Sequence, residues 1–219
     1  MKDSYKDHRL KKEDPKNWFR GHAIISDQIN REELGTVIGQ LERVLQQGIP
    51  GAVVEFGCYI GTTSHFIRRV LDEAKQSDSR EFHVYDSFEG LPEKGNQDSN
   101  AAGVDFEAGK LYVSKKEYMQ HFRMAGLKTP IAHKGWFNEL LDGEVPEPIA
   151  FAFLDGDFYD SIISSLRLVW PKMSEHGIIV IDDYKRETLP GVERAITDFF
   201  KDKKIKSLRG EHNKAIIEL

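Results

Sequence analysis

The residue pattern predicts a mainly parallel α/β sheet with helices on both faces. Three observations carry that expectation. Short apolar runs alternate with segments whose apolar residues recur at helical spacing. Two of the runs, 149–154 and 178–181, end in acids: Asp155-Gly156-Asp157, and Asp182-Asp183. The two clusters lie 27 residues apart with a helical pattern between them. A parallel sheet then brings both to its carboxyl edge, where such sheets bind ligands. Carboxylates converging there suit a hard divalent cation such as Mg²⁺ or Ca²⁺.

The elements follow in order. Apolar residues at 34, 37, 38, 41, 44 and 45 predict a helix over 31–47, ended by Gly48 and Pro50. Residues 52–56 form a buried-strand run, and 62–74 repeat apolar residues at helical spacing. A strand over 82–86 comes next. Residues 90–112 contain four glycines and no periodicity. An insertion of that length is expected to act as a lid, over 93–112. A helix over 115–125 and a short strand over 130–133 follow. A short helix over 137–141 precedes the strand at 149–154. A helix over 161–173, a strand over 177–182, a helix over 191–200 and a closing strand over 214–218 complete the chain. Residues 1–16 mix charges without periodicity and are expected to be mobile, leaving 17–219 as one domain.

Bulk properties narrow the class. The 31 Lys and Arg against 36 Asp and Glu give a net charge of −5, which argues against nucleic acid as the main partner. The run Lys201-Asp202-Lys203-Lys204 reads as a solvated helix end. One cysteine, Cys58, permits no intrachain disulfide and fits a reducing, cytoplasmic setting. No stretch approaches the ~20 apolar residues of a membrane helix, so no membrane partner is expected.

The first strand runs into Glu55-Phe56-Gly57-Cys58-Tyr59-Ile60-Gly61-Thr62 and then a helix. Glycines at such a turn let a ligand approach the backbone, and the helix start offers free N–H groups. An acid at 55 suits a ligand with a positive amino group better than a pyrophosphate; a purely structural tight turn is the alternative. Asp86, followed by Ser87, ends the second strand, where α/β proteins bind ribose hydroxyls; capping a turn is its bland role. Trp136, beside Gly135, could border an adenine ring or fill the core. Helix capping at Asp160 and Ser161 is the competing account of the acidic clusters. It does not explain two clusters on separate strands. Metalloprotease, zinc-finger, P-loop and serine-hydrolase motifs are missing.

Taken in order, VVEFGCYIGTTS, VYDSFEGLP, KGWF, FLDGDFYDS and IIVIDDY followed by PGVERAITDFF resemble the macrocin O-methyltransferase family over about residues 50–200. A more distant likeness is to catechol O-methyltransferase. The resemblance implies a class I, Rossmann-like methyltransferase fold: a seven-stranded sheet with the last strand antiparallel. It implies S-adenosylmethionine and Mg²⁺, or another hard divalent cation, as cofactors. Glu55, Gly57, Tyr59 and Gly61 would shape the methionine pocket, with Thr62 and Ser87 beside the cofactor. Asp86 would take the ribose hydroxyls, and Gly135 and Trp136 would lie near adenine. Asp155, Asp182 and Asp183 match the metal-ligand positions, and Asp157 is the acid left for general base. The lysine base of catechol-type enzymes has no equivalent, its place falling at Phe158. The expected partner is a small hydroxylated acceptor, such as a sugar of a glycosylated natural product; self-association is left open. A non-catalytic nucleoside-binding domain and a metal-independent methyltransferase are the competing functions.

Overall fold

The computed structural model describes Phe19 and residues 21–99 and 106–219. The segment expected to be mobile, 1–16, lies outside the described residues, as does part of the 93–112 insertion. Seven strands form one sheet: β1 (Ala52–Phe56), β2 (Phe82–Asp86), β3 (Ile131–Lys134), β4 (Ile149–Leu154), β5 (Met173–Ile181), β6 (Ser207–Glu211) and β7 (Lys214–Glu218). Their order is β3-β2-β1-β4-β5-β7-β6. β1 pairs in parallel with both β2 and β4, and β7 runs antiparallel to β5 and to β6 on either side of it. The chain winds outward from β1 in both directions. The crevice at this reversal is the position a ligand takes in open α/β sheets.

Among the described residues, five helices cover the sheet: α1 (Arg31–Gln46), α2 (Thr62–Glu73), α3 (Lys115–Met124), α4 (Tyr159–Val169) and α5 (Pro190–Phe200). α1 starts at a capping box in which the Asn30 side chain accepts from the Glu33 N–H and Glu33 reaches back to the Asn30 N–H. Its buried stripe, Leu34, Val37, Ile38, Leu41 and Val44, packs with α2 and α3 on one face of the sheet. Ile162, Ile163 and Leu166 of α4 and Val192, Ala195 and Ile196 of α5 cover the other. β4 is buried throughout, as a central parallel strand with both faces covered must be. Among the described residues, no helix is long and apolar enough to cross a membrane.

Four expectations needed correction. The helix expected at 137–141 is a turn, followed by a 3₁₀ turn at Asp142–Glu144; five residues are too few to sustain helical hydrogen bonding alone. α4 begins at Tyr159, not 161, and tightens into a 3₁₀ turn over Trp170–Lys172, where Pro171 cannot continue the helix ladder. β5 begins at Met173 rather than 177. β6, Ser-Leu-Arg-Gly-Glu, carries no buried residue, so no apolar run announces it. It pairs with β7 across His212 and Asn213, both at positive φ, as a two-residue hairpin turn of matching twist requires. The run Lys201–Lys204 is exposed just past α5, as expected of a solvated end.

Glu55 is the one acid inside β1, and it is 1% exposed. It accepts from the Ser64 hydroxyl of α2 at 2.5 Å, and its other oxygen has no partner. Burial, with a smaller contribution from Asp86, raises its pKa to about 8. The folded chain therefore holds this proton up to about pH 8, whereas the unfolded chain releases it near 4.5. Stability from this group is highest below pH 4.5, falls as pH rises through that window, and levels above about 8. Glu55→Gln cannot ionise. Its melting temperature relative to the wild type should climb between pH 5 and 8.5 in a thermal scan series; a gap independent of pH would place the charge elsewhere.

Gly57 tests the close passage of β1 against β4. Its φ is +85°, and a Cβ there would stand 1.8 Å from the Asp155 carbonyl oxygen. Gly57→Ala should lose roughly 3 kcal/mol or more in urea denaturation, as strain and overpacking act together. Gly39→Ala, inside α1 with open space around its Cβ, should gain about 0.5–1 kcal/mol instead.

Candidate active site

The carboxyl ends of β1, β2, β4 and β5 surround a cavity of about 360 Å³. The strand tips share a backbone feature. Tyr59 after β1, Phe88 after β2, Asp157 after β4 and Asp183 after β5 all have φ between 45° and 58°. A left-handed non-glycine residue costs about 1–3 kcal/mol and persists where surrounding structure fixes it. Here one such residue stands just past each of the four strand ends that surround the cavity.

Gly57, Tyr59, Asp86, Ser87, Trp136, Asp155, Asp157, Asp182 and Asp183 all line this cavity. The structure does not bring Glu55, Gly61, Thr62 or Gly135 to its wall. Glu55 faces Ser64 behind β1, so it offers no surface charge to a ligand amino group. Gly61 is the left-handed cap of α2, packed under the Tyr118 ring. Thr62 is buried in the first turn of α2, and Gly135 donates its N–H to the Asp86 carbonyl. Asp86 also performs the bland role weighed for it. Its two oxygens accept from the Cys58 and Phe88 N–H groups at 2.8 and 2.7 Å. A carboxylate has about four acceptor sites, so both oxygens keep capacity toward the cavity. Cys58 is buried, and its thiol pKa is pushed up by burial and by Asp86, which makes it a poor nucleophile.

The acid edge is electrostatically crowded. Asp182 and Asp183 are buried; Asp155 and Asp157 are half-buried on the cavity wall. Burial raises the Asp155 pKa well above the usual range, with Asp182, Asp157 and Asp183 adding to it. Asp157 is raised by burial, then by Asp183 and Asp182. Asp182 is raised to about 6 by burial and Asp183, against the pull of Lys214. Two cations of the chain answer these four acids. The buried Lys214 ammonium sits 2.5 Å from Asp182 Oδ1, and Arg186 sits 2.6 Å from Asp183 Oδ1. Asp182 Oδ1 also accepts the Asp183 N–H.

For a hard divalent cation the donor type fits: four carboxyls face one cavity against two internal cations. Among the described residues, no three acid, imidazole or thiolate groups already stand together as a metal centre. Asp182 and Asp183 each commit one oxygen to Lys214 or Arg186 and keep a second.

Sequence reasoning missed several wall residues. Leu91, Asp98 and Phe106 come from the insertion, and Phe137 and Phe158 from the β3 and β4 loops. Phe106 packs edge-on to Phe158 at 6.4 Å. Lys214 heads an otherwise apolar strand, and pattern alone does not show that its ammonium is buried. Arg186, three residues after Asp183, is the one signal that spacing could have offered.

The model of the macrocin O-methyltransferase family matches residues 6–210. A Streptomyces olivaceus protein, 8-demethyl-8-(2,3-dimethoxy-alpha-L-rhamnosyl)-tetracenomycin-C 4′-O-methyltransferase, is 37% identical over 150 residues, covering 66% of this chain and 57% of the relative. Demethyldecarbamoylnovobiocin O-methyltransferase of Streptomyces niveus is 30% identical over 149 residues, 66% of this chain and 56% of the relative. The matched region therefore spans little more than half the length of these two relatives. The solved structure of the O-methyltransferase NovP superposes with a TM-score of 0.74 at 25% identity, covering 87% of this chain and 80% of the other. With its strand order, cavity and acid edge, the chain belongs to the macrocin O-methyltransferase family.

Proposed function

We propose that this protein is an S-adenosylmethionine-dependent, divalent-metal-dependent O-methyltransferase acting on a hydroxyl of a sugar in a glycosylated natural product. One observation supports the reading: the residues read as a nucleoside-binding edge and the acids at the ends of β4 and β5 line one cavity. The first comprises Gly57, Asp86 and Trp136, the second Asp155, Asp157, Asp182 and Asp183. Family membership and the names of the relatives support the reaction class and the acceptor class.

The chain's residues divide the work. Gly57 leaves backbone room for the methionine portion, Asp86 accepts the ribose hydroxyls with its remaining lone pairs, and Trp136 borders the adenine. The bound sulfonium supplies an electrophilic methyl group. Asp155, Asp182 and Asp183 would hold the cation, which orients the acceptor oxygens and lowers the hydroxyl pKa. Asp157 removes the hydroxyl proton. It lines the same cavity as the proposed ligands Asp155, Asp182 and Asp183, within reach of an acceptor held there. Leu91, Phe106, Phe137 and Phe158 make the apolar wall that keeps water from the reacting atoms. Holding nucleophile and methyl group in line is worth roughly 7–11 kcal/mol of barrier.

The deciding experiment is transfer of labelled methyl from S-adenosylmethionine to a panel of sugar-bearing acceptors, with and without chelator. Transfer abolished by chelator and restored by Mg²⁺ is expected. Full turnover in excess chelator would sink the metal role and leave a metal-independent enzyme. Binding of S-adenosylmethionine with no transfer to any acceptor would favour a nucleoside-binding domain.

Two substitutions probe the two edges. Asp86→Ala should weaken S-adenosylhomocysteine binding by about 1–3 kcal/mol in calorimetry, because buried ribose hydroxyls lose their acceptor; unchanged affinity removes Asp86 from the cofactor site. Mg²⁺ should raise the melting temperature of the wild type, as any ligand of the native state does, and should not raise that of Asp182→Asn. Asp157→Asn should retain the Mg²⁺ shift while its transfer rate drops about 10²–10⁴-fold. Loss of the shift in Asp157→Asn would make Asp157 a ligand rather than the base.

A further inference from the structure

We infer that Asp98, carried by the insertion between β2 and α3, is a positioning residue: it sits across the starts of α4 and α5 and so fixes both acid-bearing segments of the cavity. The side chain is 2% exposed and belongs to a 3₁₀ turn, Asn96–Asp98. Its Oδ1 accepts the N–H of Tyr159 at 2.8 Å. Tyr159 is the first residue of α4, two positions after Asp157. The N-cap of α4 is Phe158, which has no side chain able to cap, so Asp98 supplies from 61 residues away the acceptor that this helix start lacks.

The same oxygen occupies space at the start of α5. A Cβ built on Gly191 would fall 1.7 Å from Asp98 Oδ1 and 3.0 Å from the Tyr159 nitrogen. Gly191 is the second residue of α5, whose N-cap, Leu189, also makes no side-chain cap. Two successive turns link α5 back to the second acid segment, through Val192 N–H to the Leu189 carbonyl and Leu189 N–H to the Arg186 carbonyl. Arg186 in turn holds Asp183. One carboxyl group thus stands just past Asp157 and at the start of the helix that two turns link back to Asp183.

The insertion is anchored around this seat. Leu91 and Lys110, and Gly109 and Leu91, exchange backbone hydrogen bonds of 2.8 and 2.9 Å at its base. Phe106 packs on Phe158, the residue before α4. Asp98 Oδ2 is buried without a partner. It and Asp160 Oδ2 lie 3.3 and 3.4 Å from the point a Cβ of Gly95 would occupy. Burial raises the Asp98 pKa, with Asp160 adding to it against the Tyr159 N–H. An asparagine at 98 would keep the acceptor for Tyr159 and turn an N–H₂ group toward Asp160. It should therefore seat as well as the acid does.

Only the kinetic part of the test rests on the methyl-transfer reading. Asp98→Ala, Asp98→Asn, Gly191→Ala and the double variant Asp98→Ala/Gly191→Ala would be compared by hydrogen exchange, thermal melting, S-adenosylhomocysteine calorimetry and steady-state kinetics. Asp98→Ala and Gly191→Ala should each speed exchange in 91–99, 106–112 and the first turns of α4 and α5. Each should lower kcat roughly tenfold or more through misplaced acids, with cofactor affinity changed far less. Asp98→Asn should match the wild type in exchange, melting and kcat. Gly191→Ala should cost much less in the Asp98→Ala background than in the wild type, since the clash with Asp98 is gone and only the 3.0 Å approach to the Tyr159 nitrogen remains. A Gly191→Ala penalty of equal size in both backgrounds overturns the seat. Asp98→Asn as slow as Asp98→Ala, with normal exchange, overturns positioning and makes the carboxylate itself reactive. If the wild type transfers no methyl group, the functional reading falls, and the exchange and melting pattern alone supports or overturns the seat.

Discussion

Four carboxyl groups share one edge of this sheet, and like charges taken out of water repel one another while losing hydration. The architecture around them answers that crowding. β7 enters antiparallel beside β5, which brings Lys214, at its start, level with Asp182 at the end of β5. An antiparallel neighbour delivers its first residue where a parallel one would deliver its last. The reversed strand at this side of the sheet thus becomes a source of positive charge at the acid edge. Arg186 does the same for Asp183 from the loop that follows.

The hairpin that delivers Lys214 is fastened to the rest of the chain. Asn213 donates to Glu33 of the α1 capping box and accepts from the Tyr184 N–H, and His212 meets Thr36 of α1. Glu33 therefore caps its own helix and also holds the turn carrying the counter-charge. Side chains with two such duties couple helix packing to site geometry, so their substitution should not behave additively.

Strain and close approach concentrate at the same edge. Four strand tips turn through left-handed residues, and Gly57 lets β1 pass the Asp155 carbonyl. These features cost stability locally, and the buried core on both sheet faces offsets them. The result is a rigid frame in which functional groups stand on strand ends rather than on free loops. Catalysis by positioning requires such a frame.

The sequence by itself determined the central sheet. β1, β2 and β4 stand where apolar runs placed them, because a strand buried on both faces is mostly apolar, polar exceptions such as Glu55 needing a partner. It also placed the acids of β4 and β5 and the glycine turn on one edge, because parallel strands share their direction. It did not reveal β6, whose residues are solvated and whose pairing with β7 is the only reason it is a strand. Nor did it reveal that Glu55 turns away from the cavity toward Ser64, that Lys214 is buried against Asp182, or that Asp98 caps a helix 61 residues away. Local sequence records propensity and periodicity. Which polar group meets which across the fold is decided by packing, since a buried charge or an open helix end takes the partner that tertiary structure brings within reach.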